Sequence, residues 1–358
     1  MNTATNTSIG SRANVMLWLL SGCFLIFMMV IVGGITRLTG SGLSITEWKV
    51  VTGTIPPLNQ NDWLKEFHNY MNSPQFVQIN SHFGLNDFKE IYWWEYIHRL
   101  LGRLIGVVFL VPFAWFWFTR QLTGDMKWKS LLLFAMGGLQ GFIGWYMVKS
   151  GLVDRPSVSH LRLALHLSTA FATFGLTFWF AMGLLDARKL EPTQSLKNYR
   201  RWVALVFAVV IVQIIYGAFV AGLKAGLIYN TWPDMQGDFM PGAVRYGIRA
   251  QGISSLINNM TTVQFIHRTT AWLVVASVAL LWWRSLPPSM LDSRQRLALH
   301  IVMGAVVVQF LLGVYTLLFA VPLVLGVLHQ AGAFALLSAF IYLLHTLKRG
   351  PAVQVKTE

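Results

Sequence analysis

The chain has 358 residues, of which 55% are hydrophobic, 14% aromatic and only 12% charged, and its mean hydropathy is +0.53. That composition excludes a soluble globular enzyme and describes a polytopic helical membrane protein, with the lipid bilayer as its first partner. The net charge of +14 reflects Lys and Arg gathered in loops beside the membrane, and no basic patch interleaved with aromatics stands apart from them, so no nucleic acid is expected as a partner. A single cysteine, Cys23, excludes an intramolecular disulfide and a thiolate metal site.

The polar segment Met1–Ser11 precedes an apolar stretch too long for a signal-peptide core and without a clear small-residue cleavage site, so a retained first span is expected. Apolar runs predict eight spans, at roughly 14–35, 94–119, 130–149, 161–185, 202–223, 264–283, 297–319 and 323–345, with Pro322 marking the turn between the last two. The segments 1–14, 119–129, 186–201, 284–296 and 346–358 hold 15 Lys/Arg, against 9 in the longer opposite-side loops, so both termini are expected in the cytoplasm. The long outer loops 35–93 and 223–263 are rich in Gly, Pro, Asn and Trp and are expected to form short interfacial helices or lids.

The chain also repeats itself. Gly33 and Gly42-Leu43 through Trp48 correspond to Gly217 and Gly226-Leu227 through Trp232 at an offset of 184. His98-Arg99 corresponds to His267-Arg268, and Gln140 with Gly144 to Gln309 with Gly313, at an offset of 169. His166 pairs with His329 after a shortened loop. An all-α fold of two parallel four-helix-bundle repeats follows: a cytoplasmic tail 1–13, a half 14–185, a cytoplasmic linker 186–201, a second half 202–345 and a cytoplasmic tail 346–358.

Two stretches, Glu95-Tyr96-Ile97-His98-Arg99 and Gln264-Phe265-Ile266-His267-Arg268, open hydrophobic helices with ionisable residues where lipid normally forbids them. The charge-free runs behind them, Leu104 to Thr119 and Thr269 to Trp283, contain 16 and 15 residues. Neither crosses a hydrocarbon core that needs about 20 residues, so each helix must run back through its own arginine and histidine, a functional-site signal. Each half thus offers two histidines at matched depth: His98 with His166, and His267 with His329.

Such pairs suit a metal or a macrocycle between helices. Copper or zinc lacks support, because no Cys, Met pair or carboxylate clusters with them at ligand spacing. Gly102, Ala170, Ala271 and Ala333 follow the four histidines at i+4 and leave room for a porphyrin, which favours haem ligation over packed, hydrogen-bonded histidines. His300 and His345 are expected at cytoplasmic helix ends, and His68, His82 and His160 in outer loops. Arg99, Arg103, Arg162, Arg268 and Lys149 are candidates for neutralising propionates, with snorkelling to the interface as the alternative.

Beside the histidines the halves differ in a titratable group. Glu95 stands three residues before His98 on the same helical face, and its counterpart is Gln264. A buried carboxylate there suits proton transfer; an i,i+4 ion pair with Arg99 is the alternative. The N-terminal half therefore reads as the reactive site and the C-terminal half as a held electron-transfer haem.

Glu95 to Arg99, the run Gly33-Gly34-Ile35-Thr36-Arg37-Leu38-Thr39-Gly40-Ser41-Gly42-Leu43-Ser44 and the paired His-Arg/His pattern resemble the haem A synthase family, over about residues 16–345. The resemblance implies an eight-helix duplicated bundle in the cell (inner) membrane. It implies oxidation of the C8 methyl of haem O to the formyl of haem A, by successive hydroxylations and loss of water from a geminal diol, for cytochrome oxidase assembly. It implies haem b as cofactor on His267 and His329, the substrate haem iron between His98 and His166, and Glu95 as the catalytic acid. Haem O synthase (protohaem farnesyltransferase) and an electron acceptor are the implied partners, and a homo-oligomer is compatible with the sequence. Many bacterial members carry two cysteines in the first outer loop. Residues 35–93 contain none, which resembles the alphaproteobacterial and mitochondrial branch and removes any route of electrons through a thiol pair. The competing readings are a di-haem b-type membrane cytochrome for electron transfer and a haem carrier or exporter; neither needs a unique acid at Glu95.

Overall fold

The structure, a computed structural model, describes residues 3–48, 52–152, 156–185 and 191–348. Residues 1–2 and 349–358 of the expected tails and 186–190 of the expected linker lie outside the described residues. Twelve α-helices are found among the described residues: α1 (Thr3–Leu38), α2 (Gln60–Met71), α3 (Pro74–Gln78), α4 (Leu85–Phe118), α5 (Asp125–Lys149), α6 (His160–Leu184), α7 (Gln194–Gly222), α8 (Gly242–Gln251), α9 (Ser255–Asn258), α10 (Met260–Arg284), α11 (Ser293–Leu318) and α12 (Leu323–Thr346). The described residues contain no strand, only an isolated bridge between Met235 and Asp238. Eight helices are long and apolar enough to cross a membrane: Arg12–Leu38 within α1, then α4, α5, α6, α7, α10, α11 and α12. The protein is an all-α, multi-pass integral membrane protein.

Most of the crossing helices begin earlier than hydropathy predicts, because a backbone helix starts at its cap while hydropathy marks only where side chains turn apolar. At Gly84 the backbone N–H donates to Asp87 Oδ2 at 2.8 Å, and α4 starts there, about three turns before Glu95. Asn259 accepts from the Thr262 N–H at 3.0 Å and starts α10. Thr193 accepts from the Leu196 N–H at 3.3 Å and draws α7 into the expected linker, while Asp292 and Gln295 form a capping box before α11. The two histidine-bearing stretches therefore do not open their helices; they sit inside them. Helix α1 likewise extends through residues 3–13, where no proline interrupts it. Pro322 caps α12, as the sequence suggests.

The described residues form two compact units: Met1–Leu19 with Gly175–Glu358, and Leu20–Phe174. In the first, α7, α10, α11 and α12 share a core in which Tyr199, Val203, Leu299, Val302, Phe340 and Leu343 are buried. The Tyr199 hydroxyl donates to the Leu281 carbonyl at 3.0 Å, so its polar end is satisfied inside the core. In the second unit, the long loop before α4 folds into α2 and α3 around Trp63, Tyr70, Phe88, Tyr92 and Tyr96. The Tyr70 hydroxyl donates to Gln75 Oε1 at 3.2 Å and accepts from Asn80 Nδ2 at 2.8 Å, and burial pushes its pKa above the ordinary phenol value. Gln75 in turn donates to the Gly40 carbonyl at 2.8 Å, tying the loop helices to the end of α1. The long loop of the other unit carries α8 and α9, so both long loops hold short helices, as the composition suggests.

Between lipid-facing helices the stabilising force is close packing rather than water exclusion. Phe340 is fully buried and stacks on Phe207 at 5.6 Å between ring centroids. Phe340→Ala is expected to cost about 3 kcal/mol or more, measured as a lower thermal transition of the detergent-solubilised protein.

Candidate functional site

All four candidate histidines lie on membrane-crossing helices: His98 on α4, His166 on α6, His267 on α10 and His329 on α12. Each ring rests against a glycine of the preceding crossing helix. A Cβ built on Gly33 would stand 3.2 Å from His98 Nε2, one on Gly144 3.2 Å from His166 Cε1, one on Gly217 3.2 Å from His267 Cε1, and one on Gly313 2.9 Å from His329 Cε1. These are the glycines of the sequence repeat, and the contact gives the reason for them: an imidazole occupies the space a side chain would take. His98 is close enough to His166 to interact with it electrostatically, and His329 stands likewise to His267. The structure thus brings together the two pairs read from the sequence.

One turn before the glycine, three of the four glycine helices carry a glutamine, whose side chain reaches the histidine's own backbone. Gln140 Nε2 donates to the His166 carbonyl at 2.8 Å, Gln213 Nε2 to the His267 carbonyl at 3.0 Å, and Gln309 Nε2 to the His329 carbonyl at 2.9 Å. The amide oxygens of Gln140 and Gln213 accept from the hydroxyls of Thr169 and Thr270. Gln309 Nε2 also stands 3.2 Å from His329 Nδ1. At the fourth position, before Gly33, the residue is Met29. Sequence reasoning matched Gln140 with Gln309 but missed Gln213 and the Gln-x-x-x-Gly spacing that three helices share. Comparing α7 with α11, within the second half, is the signal that finds it.

The arginines beside His98 and His267 turn outward to the loops. Arg99 donates to the carbonyls of Ile45 at 2.7 Å and Glu47 at 2.9 Å, and its guanidinium lies 4.9 Å from the Trp48 ring centroid. Arg268 donates to the repeat-equivalent carbonyls, Tyr229 at 3.2 Å and Thr231 at 2.9 Å, and lies 5.2 Å from the Trp232 ring. It also reaches Asp234 O at 2.6 Å. The carboxyl group of Asp234, which accepts from the Gly237 N–H and the Thr231 hydroxyl, is held below the ordinary carboxylate pKa by those bonds. Both arginines therefore fix the loop that follows the first helix of each half. Arg162 donates to the Tyr146 carbonyl at 2.8 Å and lies over its ring at 3.6 Å, while Lys149 lies 5.1 Å over Trp145. Arg99, Arg268, Arg162 and Lys149, all offered by the sequence for propionates, thus make these contacts within the protein.

Glu95 is 2% exposed. One carboxylate oxygen accepts from Arg99 Nη2 at 2.6 Å and Nε at 3.0 Å; the other accepts from the Ser44 hydroxyl and the Ile45 N–H, both at 2.8 Å. The ion pair with Arg99 is thus formed. In the other half Gln264 donates to the Ile228 carbonyl, the repeat equivalent of Ser44, and its Oε1 is buried without a hydrogen-bond partner. A cavity of about 250 Å³ opens beside Arg99, lined also by Glu47, Asp62, Lys65, Glu66 and Arg103.

The donor set fits a haem. His166 Nδ1 and His267 Nδ1 are buried with no hydrogen-bond partner, a cost that a metal ligand removes. Among the described residues no three His, Cys, Asp or Glu side chains gather as a bare metal ion would require. A porphyrin supplies its own equatorial nitrogens and asks the protein only for axial ligands. His345, at the far end of α12, packs against Trp179 at 5.3 Å and is a buried structural residue.

The sequence profile of the family described as cytochrome oxidase assembly protein, COX15-CtaA, matches residues 16–341. The chain is 48% identical over 340 residues to the heme A synthase of Flavobacterium johnsoniae, covering 94% of this chain and 98% of that protein. It is 43% identical over 346 residues to the heme A synthase of Nitrosospira multiformis, covering 96% of each. It is 42% identical over 343 residues to that of Paramagnetospirillum magneticum, covering 95% of each.

The glycine contacts generate a test that does not depend on the reaction. Gly313→Ala places a methyl group against His329 at a distance no ordinary contact reaches, so the ring must shift. Gly313→Ala is expected to fold and to lose most of its haem absorbance, read against total protein in purified samples. Retention of the full haem content with an unchanged spectrum contradicts the seating described above.

Proposed function

Because the chain belongs to the COX15-CtaA family of cytochrome oxidase assembly proteins, we propose that it converts haem O to haem A, oxidising the C8 methyl group to a formyl group for cytochrome oxidase assembly. The observation that carries this reading is an asymmetry between two otherwise matched histidine pairs. Both are seated on glycine, and both have an arginine that fixes the adjoining loop through the same carbonyls. Only the pair His98 and His166 has a buried carboxylate, Glu95, one turn away. Electron transfer between two haems needs no such group; methyl oxidation, which removes protons with electrons, does.

In this reading His267 and His329 hold a resident haem b within the half 202–345, and His98 and His166 hold the iron of the substrate haem within the half 14–185. The bound haem b supplies a redox centre for electrons leaving the substrate. Gln213 and Gln309 fix His267 and His329 through their carbonyls. Glu95 is the catalytic group that takes up protons released from the methyl group, and its negative charge offsets positive character developing beside the ring. Arg99 holds the carboxylate in place and lines the polar cavity beside it. Loop fixation alone does not account for Glu95, because Arg268 fixes the equivalent loop opposite Gln264. The protein sits in the cell (inner) membrane with both termini cytoplasmic. Protohaem farnesyltransferase supplies its substrate, and an electron acceptor completes the turnover.

His267→Ala and His329→Ala are each expected to abolish the resident low-spin haem b. His98→Ala and His166→Ala are expected to block haem A formation while sparing that haem's spectrum. In Glu95→Gln, with haem b intact, haem O or a partly oxidised haem accumulates. Loss of a general base costs about 10²–10⁴-fold in rate, enough to make haem A nearly undetectable on chromatography of haems extracted from membranes. Wild-type haem A in Glu95→Gln contradicts the catalytic role and leaves the ion pair with Arg99 as the function of Glu95.

A further inference from the structure

We infer that His98 is the releasable ligand of the N-terminal pair, and that Met29 is the positioning residue that leaves it releasable. The inference rests on the reading that this half binds a haem that must arrive and depart, while the other half keeps its haem. Three histidines are held twice, by the glycine their ring rests on and by a glutamine amide on their backbone carbonyl. For His166 and His267 the same glutamine also accepts from a threonine three residues further along the histidine's helix. Each such glutamine links two helices at the level of the ligand and keeps the imidazole in one position.

His98 has the first hold and lacks the second. Gly33 makes room for its ring, but the residue one turn earlier on α1 is Met29, and the residue three after His98 is Leu101. A thioether donates nothing and accepts weakly. With three rotatable bonds it also adapts its shape to whatever lies beside it. Met29 Cε lies 3.2 Å from where a Cβ on Gly102 would be. Gly102 is itself the smallest of the four residues that follow the histidines at i+4, the others being Ala170, Ala271 and Ala333. The α1–α4 seam at His98 is therefore made of a glycine, a flexible thioether and a second glycine, where the α7–α10 seam has Gly217, Gln213 and Ala271. His166, held by Gln140, stays as the fixed ligand of the same pair, so an entering haem finds one ligand ready and one that yields.

The test exchanges the two residues and follows haem departure rather than turnover. Ferric protohaem is the probe, loaded onto the purified full-length protein, and apomyoglobin in excess collects what leaves. Wild type is expected to release haem in a fast and a slow phase. Met29→Gln should slow the fast phase about tenfold, the size of one net hydrogen bond, with the slow phase unchanged. Gln213→Met should speed the slow phase by a similar factor, and it reads the same contact from the opposite direction if Met29→Gln does not fold. Unchanged rates in folded Gln213→Met, or a fast phase unmoved or quickened in folded Met29→Gln, overturn the inference. Failure of the functional reading appears elsewhere, as absence of haem A from wild-type membranes, and leaves these rates as they are.

Discussion

The structure depends on a steric condition met four times: an imidazole lies this close in the seam between two membrane helices where the facing backbone has no Cβ to crowd it. Gly33, Gly144, Gly217 and Gly313 meet it for His98, His166, His267 and His329. The helices therefore work in pairs, α1 with α4, α5 with α6, α7 with α10 and α11 with α12, each pair one glycine helix and one histidine helix. Close approach also brings the glutamine one turn away within reach of the histidine's carbonyl, so the same geometry that admits the ring provides the means of holding it. In lipid, where apolar surface alone does not draw helices together, close contacts of this kind with interhelical hydrogen bonds carry much of the specificity.

The arginines after His98 and His267 follow from helical rotation. One residue turns the side chain about 100° around the axis, so the histidine points into the seam and the arginine reaches the loop. Arg99 and Arg268 take hold of equivalent carbonyls and equivalent tryptophans. His166 and His329 are followed by Leu167 and Gln330 instead, and the connections before α6 and α12 are short, with no long loop to fix. The His-Arg pair thus marks the histidines that adjoin a long loop.

Two departures from the repeat fall on the same helix pair. Glu95 replaces the amide found at Gln264, and Met29 replaces the amide found at Gln213. The first adds a carboxylate bound to Arg99, Ser44 and Ile45; the second removes a hydrogen bond from His98. Both alter the surroundings of His98, whereas the carbonyls of His166, His267 and His329 each keep a glutamine donor. The two histidine pairs thus differ through a few side chains, a carboxylate at Glu95 and a thioether at Met29.

The sequence by itself determined the class, the eight spans, the duplication, the histidine quartet and the contrast of Glu95 with Gln264. Each is written in features that depend only on residue type and spacing: apolar run length, constant offsets of 184 and 169, and ionisable residues where lipid makes them costly. The starts of α4, α7 and α10 were less legible, since capping by Gly84 with Asp87, Thr193 and Asn259 precedes the apolar signal. What only the tertiary structure decided was who touches whom across helices. That Gly33 faces His98 from 65 residues away, that Gln213 holds His267 across the seam, and that Arg99 is committed to both Glu95 and the loop at Ile45 are contacts between segments whose relative rotation no local pattern encodes. Spacing sets the face of a helix on which a residue lies, but the partner of that face is chosen by packing.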